Sequence, residues 1–199
     1  MTAARAWLAV VWDPEAAAVA RLLEATEVRR ALADHGPYAS ADHFDLLVTG
    51  VGAAPAGVDG LGGRVWAWRT EVHVVRAAAD PLPLTMVSFP RRRAELTRAE
   101  FARHWREQHA PLALQHHAGL ADYRQHVVVE VLTDEGAGVD GIALLGFRSR
   151  EDFTTRFYDS EAGKAAIRAD VARFIAPLPA GVAGTTTLVG PPEPGRADR

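Results

Sequence analysis

The chain has no cysteine in its 199 residues, which excludes a disulfide scaffold, thiolate metal ligands and a cysteine nucleophile. Lysine is nearly absent. Lys164 is the only one among 22 basic residues, so a Schiff-base mechanism has one possible carrier. No stretch approaches the ~20 apolar residues of a membrane span. The apolar run Ala6–Trp12 is interrupted by Asp13 and Glu15, too soon for a secretory segment. A formal net charge of −3 leaves no basic footprint for nucleic acid. There is no Gly-x-Ser-x-Gly, and Gly60-Leu61-Gly62-Gly63 precedes strand-like residues where a dinucleotide loop requires a helix. What the chain does have is 48% apolar residues, enough to bury a core in one domain or two small ones. These features predict a soluble, cytoplasmic protein whose partner is neither nucleic acid nor membrane.

The second half is the clearer one. Leu84–Phe89 reads as a strand, ended by Pro90 and Arg91-Arg92-Arg93, a triplet taken as a solvated loop. Thr97 and Glu100 then form a capping box, flanked by Leu96 and Phe101 in hydrophobic-staple positions. The spacing predicts a helix to about Ala110, where Pro111 removes a donor and clashes with the preceding turn. Its apolar face carries Phe101, Trp105 and Leu112, with His109 on the same side. Tyr123–Leu132 and Ile142–Phe147 read as strands. Ser149 and Ser160 read as N-caps of helical stretches, the second with Ile167, Val171 and Phe174 on one face, and Thr185–Val189 as a closing strand. The order is β-α-β-β-α-β, a ferredoxin-like unit.

The first half is a paler version. Trp7–Trp12, Phe44–Val51 and Arg64–Val75 are strand-like, and Pro14–Asp34 reads as one helix. Ala56-Gly57-Val58-Asp59-Gly60 recurs as Ala137-Gly138-Val139-Asp140-Gly141, an offset of 81 that also sets Leu46–Val48 against Val127–Val129. This suggests a tandem repeat whose first copy lacks its second helix. The expected organisation is a degenerate ferredoxin-like repeat over 1–80, a fuller one over 81–190 and a disordered tail over 191–199. Two such sheets facing one another bury their bare faces and remove exposed edges. Either a pseudo-dimeric monomer or a homodimer meets that requirement.

The segment Leu96-Thr97-Arg98-Ala99-Glu100-Phe101 through Trp105-Arg106-Glu107-Gln108-His109-Ala110-Pro111-Leu112 resembles the signature of the EthD family. Gly119-Leu120 with Tyr123, and Val139-Asp140-Gly141-Ile142, resemble it too. The resemblance implies an α+β fold of the dimeric α+β barrel type, formed here by ferredoxin-like repeats within one chain. It also implies a loose association with oxidoreductases. Relatives by fold act on aromatic polyketides as cyclases, oxygenases, dehydratases and decarboxylases, and others bind haem.

On that basis His109 is the candidate general acid or base, and Tyr123 the hydroxyl that would polarise a carbonyl. Phe101, Trp105 and His126 are the candidate substrate-binding residues for a small hydrophobic or aromatic ligand, with no cofactor and no metal. His109 could equally be a core histidine, and Phe101 and Trp105 core aromatics. Strict alternation puts His126 on the opposite face from Tyr123, so the two share a pocket only across a bulge. His104 and His109, five apart, diverge by about 140° on an α-helix. His116 and His117 read as solvated loop residues. A haem-binding, peroxidase-like protein and a non-catalytic ligand-binding accessory protein are the alternatives to an enzyme.

Overall fold

The computed structural model describes residues 4–22, 27–32, 43–177 and 187–192. Eight antiparallel strands make one sheet: β1 (Ala4–Pro14), β2 (Glu27–Arg30), β3 (Leu46–Val51), β4 (Gly62–Arg76), β5 (Leu84–Ser88), β6 (Leu120–Val131), β7 (Gly141–Phe147) and β8 (Thr187–Val189). Their spatial order is β2-β3-β1-β4-β6-β7-β5-β8. The two end strands meet. Ala31 bridges Val189, the Leu32 N–H donates to the Leu188 carbonyl, and the Gly190 N–H donates to the Arg30 carbonyl, both at 2.8 Å. The sheet is therefore a nearly closed barrel, in which the edges an open sheet would expose are paired. Gly190, expected just ahead of the disordered tail, is part of this seam; 193–199 lie outside the described residues.

Closure explains the burial pattern. All seven residues of β7 are buried, because Ala143, Leu145 and Phe147 face a layer of helices while Ile142 and Leu144 face the barrel interior. β1 behaves alike: Trp7, Ala9 and Val11 pack outward, and Leu8, Val10 and Trp12 pack inward against Phe44, Trp68 and Val128. Strands buried on both faces read as continuous apolar runs, as Trp7–Trp12 does.

The strand order reads the same in each half, β2-β3-β1-β4 and then β6-β7-β5-β8. This order gives β3 the place of β7, whereas the offset of 81 sets β3 against β6. In the second half helices α2 (Arg98–His104), α3 (Ala110–His116), α4 (Arg150–Thr154) and α5 (Glu161–Phe174) cover the outer face. In the first, α1 spans only Ala16–Leu22. Residues 52–61, carrying one short 3₁₀ turn at Val58–Leu61, return the chain from the Ala6 end of β1 to its Pro14 end.

Two expectations about helices are corrected. Pro14–Asp34 is not one helix, since Glu27–Arg30 pairs with β3 and buries Val28 beside Trp7 and Val48. Four residues are too few to display a strand period, and pairing overrides local preference. The helix begun by Thr97 does form the capping box, with Thr97 Oγ1 accepting from the Glu100 N–H and Glu100 Oε2 from the Thr97 N–H. It does not stop before Pro111. Trp105–His109 is a π-helical turn, and α3 continues beyond it with the proline in its first turn, where a missing N–H costs least. The strand start expected at Thr185 falls outside the described residues.

Candidate functional site

The wide turn decides the site. Five residues per hydrogen-bonded ring, from the Ala110 N–H to the Trp105 carbonyl, bring positions i and i+5 onto one side of the helix. His104 and His109, divergent on an α-helix, therefore converge, which corrects the expectation of 140°. Both reach Asp170 of α5: His104 Nε2 lies 2.8 Å from Oδ1, and His109 Nδ1 lies 2.9 Å from Oδ2. Phe174, one turn on from Asp170, stacks on His104 at 4.6 Å and tilts against His109 at 5.2 Å. Asp170 places itself here because Ile167, Asp170 and Phe174 share the buried side of α5.

Burial alone would raise the Asp170 carboxyl. The hydrogen bonds from His109 and His104, with their charges, outweigh burial and hold it below the ordinary carboxylate value. An ionised carboxylate only accepts, so the His109 proton at this contact sits on Nδ1. Nε2 is left for other chemistry, and the side chain keeps about 10% exposure.

The strand side of the site is a closed set of polar contacts. Trp105 Nε1 donates to the Tyr123 hydroxyl at 2.9 Å, and Gln125 Nε2 donates both to that hydroxyl at 3.0 Å and to the Trp105 carbonyl at 2.9 Å. Burial pushes the Tyr123 hydroxyl up to about 12. Its oxygen is occupied by Trp105 and Gln125, so it holds the indole in place. Phe101 and Trp105 are buried, 5.4 Å apart, and Phe101 lies 5.7 Å from Phe174. His126 is on the opposite face, as alternation requires. It lies in the barrel interior, Nδ1 3.1 Å from Thr70 Oγ1, and burial pushes it down to about 4. It does not converge with His109.

Two glycines of the sequence pattern are explained by close approach. A Cβ at Gly141 would overlap the Trp105 ring, and one at Gly119 would strike the Asp152 backbone. Two of the three arginines are tied into the fold by their side chains. Arg92 pairs with Asp140 at 3.2 Å, and Arg93 donates to the Ala172 carbonyl. His117 is not a solvated loop residue, its ring being buried with Nδ1 2.7 Å from the Phe157 carbonyl, while His116 is half-buried and pairs with Asp159 at 3.1 Å near the surface. Among the described residues no group of three His, Cys, Asp or Glu is arranged to hold a metal ion. No helix there is long and apolar enough to cross a membrane.

Cavities among the described residues lie apart from these side chains. One of about 520 Å³ runs along a flank of α5, lined by Tyr158, Ile167, Val171 and Ile175 with Arg93 and Arg168. One of about 230 Å³ is polar, with Arg29, Thr85, Asp122 and Arg124. None of the five expected site residues lines either. Asp170 and Gln125 had not been singled out in the sequence. The signal for the first was a lone carboxylate on the apolar side of α5.

Residues 93–178 match the EthD domain. Among solved structures the chain is similar to an anthrone oxidase-like protein, with a TM-score of 0.57 and 10% identity over 95% of this chain and 93% of that one. This is a likeness of fold, and it agrees with the α+β barrel described above. A provisionally assigned monooxygenase from Lactobacillus acidophilus NCFM matches with a TM-score of 0.48 and 7% identity over 96% and 94% of the two chains. No curated protein matches significantly.

Proposed function

Proceeding from an EthD domain over residues 93–178, we propose that the protein acts on a small aromatic or polyketide-like molecule by cofactor-independent acid–base chemistry. The reaction would be of the cyclase, dehydratase, decarboxylase or oxygenase type. The observation that carries this reading is the contact of His109 Nδ1 with Asp170 Oδ2 at 2.9 Å. A carboxylate there fixes the ring's orientation and tautomer and stabilises the imidazolium formed when Nε2 takes a proton. Nε2 then removes a proton from an activated carbon and returns it to the product. His104, on the other oxygen, holds Asp170 in place and keeps it ionised. Tyr123, Phe101 and Trp105 serve from behind, fixing the turn on which His109 sits. The groove along α5 is of a volume that holds a small apolar ligand, on the helix that carries Asp170. The two halves, 1–80 and 81–190, are read as one pseudo-dimer with a single site.

Native mass spectrometry, compared with the denatured mass, identifies any bound ligand and hence the substrate to assay. On that substrate His109→Ala is expected to lower kcat by about 10²–10⁴-fold, and Asp170→Asn to lower it with little change in KM. Unchanged turnover in His109→Ala ends the proposal. Binding without turnover in the wild type would make the protein an accessory binder, and a Soret band would make it a haem protein.

A further inference from the structure

We propose that Gln125 and Pro111 are positioning residues, which together hold the wide turn Trp105–His109 and so keep His109 on the carboxylate that His104 also uses. The inference deepens the acid–base reading and rests on it for its purpose, though not for its geometry. In an uninterrupted α-helix the Trp105 carbonyl would accept from the His109 N–H. Here it accepts from the Ala110 N–H and, from the side, from Gln125 Nε2 at 2.9 Å. Gln125 is about 1% exposed and lies in β6, a strand paired on both sides. Its amide therefore comes from a rigid platform, and no water can replace a lost partner. Through Tyr123 the same amide also secures the indole nitrogen, so the sheet grips Trp105 at carbonyl and ring.

Pro111 works from the other end. Its ring would collide with the Glu107 carbonyl in α-helical register, and widening the turn relieves that collision. Pro111 has no N–H to donate back into the turn, and the stretch Arg106–Gln108 is exposed, so a carbonyl left without a donor there is open to solvent. A return to α-helical register would turn the chain after the bulge by about 100° relative to the chain before it. His104 and His109 would then point apart, and one of them would leave Asp170.

The test reads the imidazole nitrogens by long-range ¹H–¹⁵N NMR on the free, full-length protein. The wild type is expected to show the proton on His109 Nδ1 and on His104 Nε2, the nitrogens that face Asp170. Gln125→Leu and Pro111→Ala should each lower the fraction of His109 rings in that state, and the double variant should abolish it. A wild-type His109 signal in the folded double variant overturns the proposal. Should Gln125→Leu fail to fold, Pro111→Ala decides alone, because Pro111 is exposed. The signal needs no substrate. Turnover surviving His109→Ala would therefore end the acid–base reading without touching this one, and an undisturbed His109 ring would end this one alone.

Discussion

The two halves place four strands in the same order, yet they dress them differently. In the first, a seven-residue helix and a 3₁₀ turn cover Trp7, Ala9 and Val11. In the second, four helices and a π-turn cover Tyr123, Leu145 and Phe147 and enclose two imidazoles and a carboxylate. Both halves contribute equally to the barrel interior, where Leu8, Val10 and Trp68 meet Val128, Ile142 and Leu144. Among the described residues the barrel interior is built from strands of both halves, while the His104–Asp170–His109 cluster lies in the helical layer of the second. Between β3 and β4 the segment 52–61 returns the chain with one 3₁₀ turn, in the place where α4 and α5 follow β7 in the second half.

The comparison can be broken most forcefully through the aromatic core. Phe174→Ala should cost about 3–5 kcal/mol, read as a lower denaturant midpoint, and should disturb the NMR signals of both His104 and His109. Trp7→Ala, an equally buried cut in the first half, should cost a similar amount and leave those signals alone. If it moves them, the halves are not separable.

Acid gives the next largest effect. Burial holds His126, in the shared interior, and His117, under the second half's helices, at about 4 against an ordinary 6.5. Between those values the unfolded chain binds protons that the folded one refuses, so stability falls as the pH drops from about 6.5 to about 4 and changes no further below. Each ring contributes on the order of 3 kcal/mol at most. His126→Gln and His117→Gln should each flatten part of that slope in urea titrations. Asp170 acts in a lower window. Its depressed carboxyl stabilises the fold above the ordinary carboxylate value of 3.8, and that contribution is lost as the pH falls through the folded value. Asp170→Asn should remove this lower limb of the curve.

The mildest test is a cap. Thr97→Ala should cost about 1 kcal/mol and speed hydrogen exchange at Phe101–His104, with the amides of β1 and β3 unchanged.

Much of this was legible in the sequence because it was written locally. The Thr97–Glu100 box, the Ser149 and Ser160 caps and the Val-rich run of β6 each depend on neighbours within a few residues. The rest depends on partners far away. Glu27–Arg30 is a strand only because Leu46–Thr49 lies beside it. Pro111 read as the end of the helix, and only the folded chain, with the Ala110 N–H on the Trp105 carbonyl, shows a widened turn that the helix passes through. His104 and His109 could not be paired before that was known, and Asp170 was one acidic residue among 25 until two rings met on it.

The seam between β2 and β8 has a kinetic meaning. Arg30 and Gly190 are joined by a hydrogen bond across 160 positions of chain, among the longest-range contacts of the described residues. Loop closure of that span must come late, since its entropic cost is recovered only after the intervening strands have paired. During synthesis β2 is made early and waits with one side unpaired until β8 leaves the ribosome. The interval between those two events is when the chain is most open to pairing with a neighbour instead of with itself.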